Sequence, residues 1–233
     1  MEIVELTGVD KTYRQGAVAV HALKDIDLTI ETGGFAALAG PSGSGKTTLL
    51  NIIGGLDAPD RGIVRVNGAD YGTMNQSDMA ELRLQRIGFI FQAYNLIPVL
   101  SAVENVEYVM ELQGIDKKER RHRAMAILDD VGLSEVYHTR PSELSGGQQQ
   151  RVAVARAIVS NPAIVLADEP TANLDSKTGT GLLEIMRRMN EEKAVTFIFS
   201  THDNDIVSMA DHVIRLHDGL ISENYRAKET VNV

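Results

Sequence analysis

Residues 40–47 read Gly40-Pro41-Ser42-Gly43-Ser44-Gly45-Lys46-Thr47, and a second threonine, Thr48, follows. A short apolar run, Phe35-Ala36-Ala37-Leu38-Ala39, leads into this stretch, and Leu49-Leu50-Asn51-Ile52-Ile53 leads out of it with helical spacing of apolar residues. The order is strand, glycine loop, helix, and the loop fits the phosphate-binding pattern G-x-x-x-x-G-K-[ST]. Each residue type has a physical reason. Glycines let backbone N–H groups curl around phosphate oxygens without a Cβ in the way, and the N-terminus of the helix adds the positive end of its dipole. Lys46 brings a full charge to the outer phosphates, and Thr47 offers a hydroxyl to Mg²⁺. A plain glycine turn is the competing reading; the rarity of the full pattern and the strand and helix that flank it count against it.

The 233 residues suffice for one domain with room for an inserted subdomain. A hydrophobic share of 43% with 24% charged residues is ordinary for a globular protein in water. The net charge of −9 argues against a nucleic-acid surface, which neutralises phosphates with a dense Lys/Arg face. No apolar run approaches the roughly 20 residues that span a bilayer. The start, Met1-Glu2-Ile3-Val4-Glu5, lacks the basic and apolar regions of a secretory signal. No direct membrane insertion and a cytoplasmic location are therefore expected. The absence of cysteine removes disulfides and thiolate metal sites.

Ahead of the loop, Ile3, Val4, Leu6 and Val9, and later Leu23, Ile26, Leu28 and Ile30, alternate with polar residues. This pattern predicts strands with one solvated face, in an antiparallel sheet beside the main one. Tyr13, in a polar loop, reads either as a platform for a nucleotide base or as a rim aromatic packing on its own sheet. Beyond the loop come a turn cluster at Gly54–Pro59, a strand at Ile63–Val66 ending at Asn67-Gly68, a helix near 77–85, and an apolar strand, Ile87–Phe91, ending at Gln92. From Ser101 to Asn161 the periodicity is helical, as in an all-helical insertion. Within it, Asp116 and Glu119 have capping-box spacing. The basic cluster from Lys117 to Arg123 reads as a solvated face, with Asp116–Arg120 and Glu119–Arg123 as i,i+4 pairs.

Ser145-Gly146-Gly147-Gln148 opens the next helix, and Ser145 with Gln148 fits a capping box. The two glycines are harder to explain that way, because glycine inside a helix costs about 1 kcal/mol relative to alanine. A close backbone approach would justify them, and an anion at the helix N-terminus is the first candidate. Ala163–Ala167 is a continuous apolar run, the pattern of a strand buried on both faces, and it ends in Asp168-Glu169. Adjacent carboxylates there repel each other and lose solvation unless a cation neutralises them. Asp168 can orient Mg²⁺, and Glu169 can accept a proton from an attacking water. A helix over 176–192 leads to a further buried-type strand that ends at Thr201-His202. That places His202 at the strand ends where open α/β sheets hold ligands. A terminal hairpin across Asp218-Gly219 and a polar tail, 224–233, close the chain.

Together these elements resemble the ATP-binding cassette ATPases, and the likeness covers nearly the whole chain. Leu144-Ser145-Gly146-Gly147-Gln148 matches that family's signature, LSGGQ, in order and position. The resemblance implies an α/β fold: a P-loop NTPase, RecA-like core with a mostly parallel sheet, an N-terminal antiparallel β subdomain and an inserted α-helical subdomain. The core would comprise 1–91 and 162–223, and the helical insertion 92–161. It also implies ATP and Mg²⁺ as ligands, with Tyr13 stacking on adenine and residues Gly40 to Thr48 cradling phosphates. Gln92 would sense Mg²⁺ and the attacking water, Asp168 and Thr47 would serve the metal, Glu169 would be the base, and His202 would meet the γ-phosphate.

By the same resemblance the two glycines face a γ-phosphate bound to a second copy, so that Ser145, Gly146, Gly147, Gln148 and Asp175 act across a head-to-tail dimer. The segments Phe89–Pro98, Leu144–Arg151 and Leu166–Thr171 look like the branch of lipoprotein-releasing and macrolide-export ATPases, although Ala172 departs from the glycine usual there. Macrolide exporters carry a membrane domain on the same chain. None is evident here, so separate integral membrane subunits are expected, docking near Leu96, Ile97 and Leu100, with the chain peripheral on the inner face of the membrane. The implied function is an Mg²⁺-dependent ATPase powering export or extraction of lipoproteins, peptides or hydrophobic compounds. The alternative is an ATP-gated regulatory module of a cell-envelope complex that transports nothing.

Overall fold

The computed structural model describes residues 1–16 and 18–227. In chain order the elements begin with β1 (Glu2–Gln15), β2 (Val18–Glu31), β3 (Phe35–Ala39), α1 (Lys46–Ile53), β4 (Arg61–Val66) and β5 (Ala69–Asp70). There follow α2 (Gln76–Arg86), β6 (Ile87–Ile90), α3 (Ala102–Leu112), α4 (Lys117–Asp130) and α5 (Gly146–Ile158). The chain then returns to the sheet with β7 (Ile164–Asp168), α6 (Ser176–Lys193), β8 (Thr196–Thr201), α7 (Asn204–Met209), β9 (His212–His217) and β10 (Leu220–Arg226).

Two sheets form. The alternating N-terminal segments pair antiparallel in a four-stranded sheet of order β2-β1-β4-β5, as the one-sided apolar pattern predicts. The continuous apolar runs make a six-stranded sheet of order β10-β9-β3-β8-β7-β6. Its inner pairs, β9 with β3, β3 with β8, β8 with β7 and β7 with β6, are all parallel, and β10 joins antiparallel at one edge. This is the α/β architecture expected from the sequence. The terminal hairpin forms too, but β10 continues to Arg226, so Asn224–Arg226 belongs to the sheet, and 228–233 lie outside the described residues.

Because side chains alternate across a strand, each central strand feeds two cores. Phe35, Ala37, Ala39, Val165, Ala167, Phe197 and Phe199 face the layer of α3, α5 and α6. Ala36, Leu38, Leu166 and Ile198 face α1 and the four-stranded sheet. The Phe35 ring lies 4.6 Å from that of Phe199 and 5.8 Å from that of Phe197. Fully burying one such side chain is worth roughly 1.5–3 kcal/mol. Parallel pairing also aligns the carboxyl ends: Ala39 is opposite Thr201, and Asp168 is opposite Ser200. The loops after β3, β6, β7 and β8 therefore leave the sheet on one side.

Two local expectations in the helical region are corrected. Asp116 caps α4 through the N–H of Lys118, without a reciprocal bond from Glu119, so the motif is a simple cap. The expected i,i+4 pairs do not form among the described residues; Arg120 instead meets Glu111 at 3.1 Å, Arg121 meets Glu107 at 2.9 Å, and Arg123 donates to the carbonyl of Val159 at 2.7 Å. An exposed i,i+4 pair is worth only about 0.3–0.5 kcal/mol, so partners offered by the neighbouring helices win. The basic cluster is thus partly a clamp of α4 onto α3 and α5, rather than only a solvated face.

Candidate active site

At the end of β3 the chain turns through Gly43 (φ 80°) and Gly45 (φ 105°) into α1. A Cβ on Gly45 would lie 2.5 Å from the carbonyl oxygen of Ala22, so that position excludes any side chain on two counts. Gly40 is equally tight against the carbonyl of Leu216, whereas nothing approaches Gly43, which borders the cavity. No side chain caps α1, so its first N–H groups stay available to an anion. Lys46 is buried, with its ammonium donating to the carbonyls of Gly40 and Pro41 at 2.8 and 2.9 Å. Ser44 is buried beneath the loop, and its carbonyl accepts from Gly219 N–H at 3.1 Å.

The Thr47 hydroxyl donates to Asp168 at 3.2 Å, joining the loop to the end of β7. Hydroxyl and carboxylate oxygens are the hard donors that Mg²⁺ prefers. Among the described residues no group of three or more His, Cys, Asp or Glu could hold a metal ion unaided. That combination fits Mg²⁺ shared with nucleotide phosphates rather than a protein-only cage.

Glu169 follows in a left-handed backbone conformation, φ 46°, which costs a residue with a Cβ of order 1–3 kcal/mol. Its N–H is anchored by the carbonyl of Ser200 at 2.9 Å, and its carboxylate meets His202 Nδ1 at 2.8 Å and the Thr201 hydroxyl at 3.5 Å. Thr201 is a contact that the sequence reading missed, although it stands directly before His202. Gln92, Thr48, Lys46, Asp168, Glu169 and His202 all border one cavity of about 930 Å³.

Tyr13 borders the same cavity, and Pro41 and Ser42 form its lip. The Tyr13 hydroxyl donates to Asp57 at 2.6 Å, and the ammonium of Lys11 lies 2.7 Å from the same carboxylate and 5.2 Å from the Tyr13 ring centroid. Burial and the bond to Asp57 push the phenol above its ordinary value, so it remains a donor. Burial works against ionising Asp57, but the bonds from Lys11 and Tyr13 outweigh it and hold the carboxyl below its usual range. Asp57 is 44 positions from Tyr13, and no spacing rule could have linked them.

The remaining expected residues lie outside this cavity. Ser145 and Gln148 form the expected capping box at α5, with Ser145 N–H donating to Gln148 Oε1 at 2.9 Å and Gln148 N–H to Ser145 Oγ at 3.3 Å. The close approach that the glycines require is met inside the chain: a Cβ on Gly147 would fall 2.5 Å from Thr178 Cγ2, and one on Gly146 would fall 3.0 Å from the Tyr94 hydroxyl. Asp175 caps α6, accepting from Thr178 N–H at 3.1 Å and its hydroxyl at 2.6 Å, bonds that lower its pKa. The chain thus assembles a phosphate loop, paired strand-end carboxylates and a histidine around one cavity, and leaves the signature residues on a separate edge.

Comparison with known proteins extends this picture. The family described as ABC transporter matches residues 23–172. The chain is 47% identical, over 95% of its length, to a macrolide export ATP-binding/permease protein of Syntrophobacter fumaroxidans, of which it covers 31%. It is 42% identical to an uncharacterized ABC transporter ATP-binding protein of Methanocaldococcus jannaschii, covering 97% of this chain and 98% of that one. Among solved structures it matches a dimeric ATP-binding cassette in a post-hydrolysis state bound to ADP and Pi, with a TM-score of 0.89 and 42% identity over 96% of this chain and 98% of that one. It therefore spans about a third of the macrolide export proteins and nearly all of the archaeal relative. No helix among the described residues is long and apolar enough to cross a membrane. Fold, motif order and near-complete coverage agree: the chain belongs to the ABC transporter family, as one of its ATP-binding cassettes.

Proposed function

We propose that this cassette is an Mg²⁺-dependent ATPase that closes head-to-tail on a second copy and so drives integral membrane subunits. The observation that carries this reading is the division of its residues: Lys46, Thr47, Asp168, Glu169 and His202 surround one cavity, whereas Ser145 to Gln148 open a helix elsewhere. A second copy turned end for end would bring that helix start to the cavity and complete it. Dimeric solved cassettes of the same fold support pairing of two copies.

In the proposed reaction the triphosphate lies along the loop, against the uncapped start of α1 and the Lys46 charge, with adenine on Tyr13. Thr47, Asp168 and Gln92 would hold Mg²⁺, which when bound neutralises charge on the phosphate oxygens. The Glu169 carboxylate takes a proton from water as its oxygen bonds to the γ-phosphorus. The bond from that phosphorus to the bridging oxygen breaks, and ADP leaves with the electron pair. His202 fixes the carboxylate and keeps its other ring nitrogen for the γ-phosphate. Loss of the γ-phosphate opens the dimer and moves the attached subunits. The resemblance to macrolide export proteins supports hydrophobic compounds as cargo, and the motif likeness to the lipoprotein-releasing branch adds lipoproteins or peptides, chosen by the membrane part.

The test is Glu169→Gln. ATP turnover should be abolished while ATP binding persists, and an ATP-dependent dimer should accumulate on size-exclusion chromatography. Hydrolysis near the wild-type rate would remove Glu169 as the base.

A further inference from the structure

Gln150 has no exposed surface, although it is polar. It sits on α5 one turn beyond the signature glycines, and its Nε2 donates to the carbonyl oxygen of Pro170 at 2.7 Å, on the residue directly after Glu169. A carbonyl only accepts, which fixes the amide with its nitrogen toward Pro170. The other end, Oε1, is buried with no hydrogen-bond partner among the described residues. A half-satisfied buried amide is worse for stability than an apolar side chain of the same shape, so core packing does not account for it.

The Pro170 contact explains it better. The loop after Glu169 is otherwise tied to β8, to the N-cap of α7 and to the chain after β6: Glu169 N–H to the Ser200 carbonyl, the Thr171 hydroxyl to Asp203 at 2.9 Å, and the Asn173 amide to the Gln92 carbonyl at 2.9 Å. Among the described residues no other side-chain hydrogen bond joins α5 to residues 169–175. Gln150 is therefore the polar link between the helix that opens at Ser145 and the loop that carries Glu169.

We infer that Gln150 is a positioning residue that couples the two nucleotide sites of the dimer, passing engagement of the α5 N-terminus by the partner's nucleotide to the chain's own base. The inference rests on the head-to-tail reading above. When α5 is drawn toward a phosphate of the other site, Pro170 moves with it, and the Glu169 carboxylate is set for its water. With the second site empty, the same bond holds the base in its resting position.

Two variants test this in the intact chain. Gln150→Met keeps the shape and removes the N–H. Its kcat should fall about tenfold, a typical allosteric coupling, and the Hill coefficient for ATP should drop toward 1, while nucleotide affinity in Glu169→Gln/Gln150→Met stays within about twofold of that in Glu169→Gln. Gln150→Glu places a carboxyl against the Pro170 carbonyl and donates only when protonated. Its kcat relative to wild type should therefore rise as the pH falls from 8 to 6, a response that a merely structural role would not produce. Unchanged kcat and Hill coefficient in Gln150→Met, or a pH-independent ratio in Gln150→Glu, would overturn the inference. If Gln150→Met does not fold, the pH series decides alone. Absence of ATP hydrolysis by the wild-type chain would instead overturn the functional reading, and this inference with it.

Discussion

His202 presents Nδ1 to Oε1 of Glu169 at 2.8 Å, across the carboxyl ends of two neighbouring parallel strands. A carboxylate only accepts, so Nδ1 carries the proton, and Nε2 is the nitrogen left for the γ-phosphate of the proposed reaction. His202→Ala removes both the hydrogen bond that orients the proposed base and that second nitrogen. It is expected to lower kcat by about 10²-fold or more while ATP affinity changes little. Steady-state kinetics with a separate nucleotide-binding titration checks the split.

The proposed completion of the site by a second copy makes a mixing prediction. Ser145→Arg alone and Lys46→Ala alone should each be inactive. An equimolar mixture should recover part of the wild-type rate, because one composite site in each mixed dimer keeps both intact halves. A mixture as inactive as its components, in samples shown to contain mixed dimers, would count against action in trans.

Crowding at the start of α5 separates a packing role from a ligand role. Gly147→Ala gains up to about 1 kcal/mol of helix propensity, but its methyl meets Thr178, whose hydroxyl is held by Asp175 and cannot turn away freely. Overpacking of this kind costs about 1–3 kcal/mol. The net expectation is destabilisation by about 1–2 kcal/mol, a fall in Tm of several degrees. Thr178→Ser removes the offending methyl and keeps the hydroxyl, so the double variant should melt near the wild-type temperature.

The acid limb of stability carries a contribution from Glu104. Hydrogen bonds from the Ser101 hydroxyl at 2.7 Å and N–H at 2.8 Å hold its carboxyl below the ordinary value of 4.5. A carboxyl depressed in the folded state stabilises fully above its unfolded value and loses that contribution as pH falls through the folded one. Stability should therefore drop below about pH 4.5, and Glu104→Gln should flatten that part of the curve. Urea melts at stepped pH measure the difference.

What could be read from the chain alone follows from how local each interaction is. The phosphate loop, the Asp168-Glu169 pair and the Ser145–Gln148 cap are short-range patterns, although the pair's partners Thr47, Thr201 and His202 come from other segments of the chain. The Arg120, Arg121 and Arg123 partners lie on other helices, and local spacing favoured weaker i,i+4 pairs instead. Asn105 gave no signal either; it is wholly buried, accepting from the Ile97 N–H and donating to the carbonyls of Leu100 and Ser101, and so shapes the apolar loop ahead of α3. The glycines of α5 were legible as a close approach, but the neighbour proved to be Thr178, 31 residues away in sequence. A contact partner on a distant segment leaves no periodicity to detect.

The antiparallel strand that closes one end of the large sheet bears on how copies of the chain are kept apart. β10 breaks register between Ile221 and Glu223, and its charges are engaged sideways, Glu223 with Arg215 at 3.0 Å and Arg226 with Glu31 at 2.7 Å. A kinked, charged margin is a poor template for another chain's strand. At the far margin β6 offers only four residues, Ile87–Ile90. Both flanks of the sheet thus discourage edge-to-edge growth between copies, so the pairing proposed above meets no competition from strand addition.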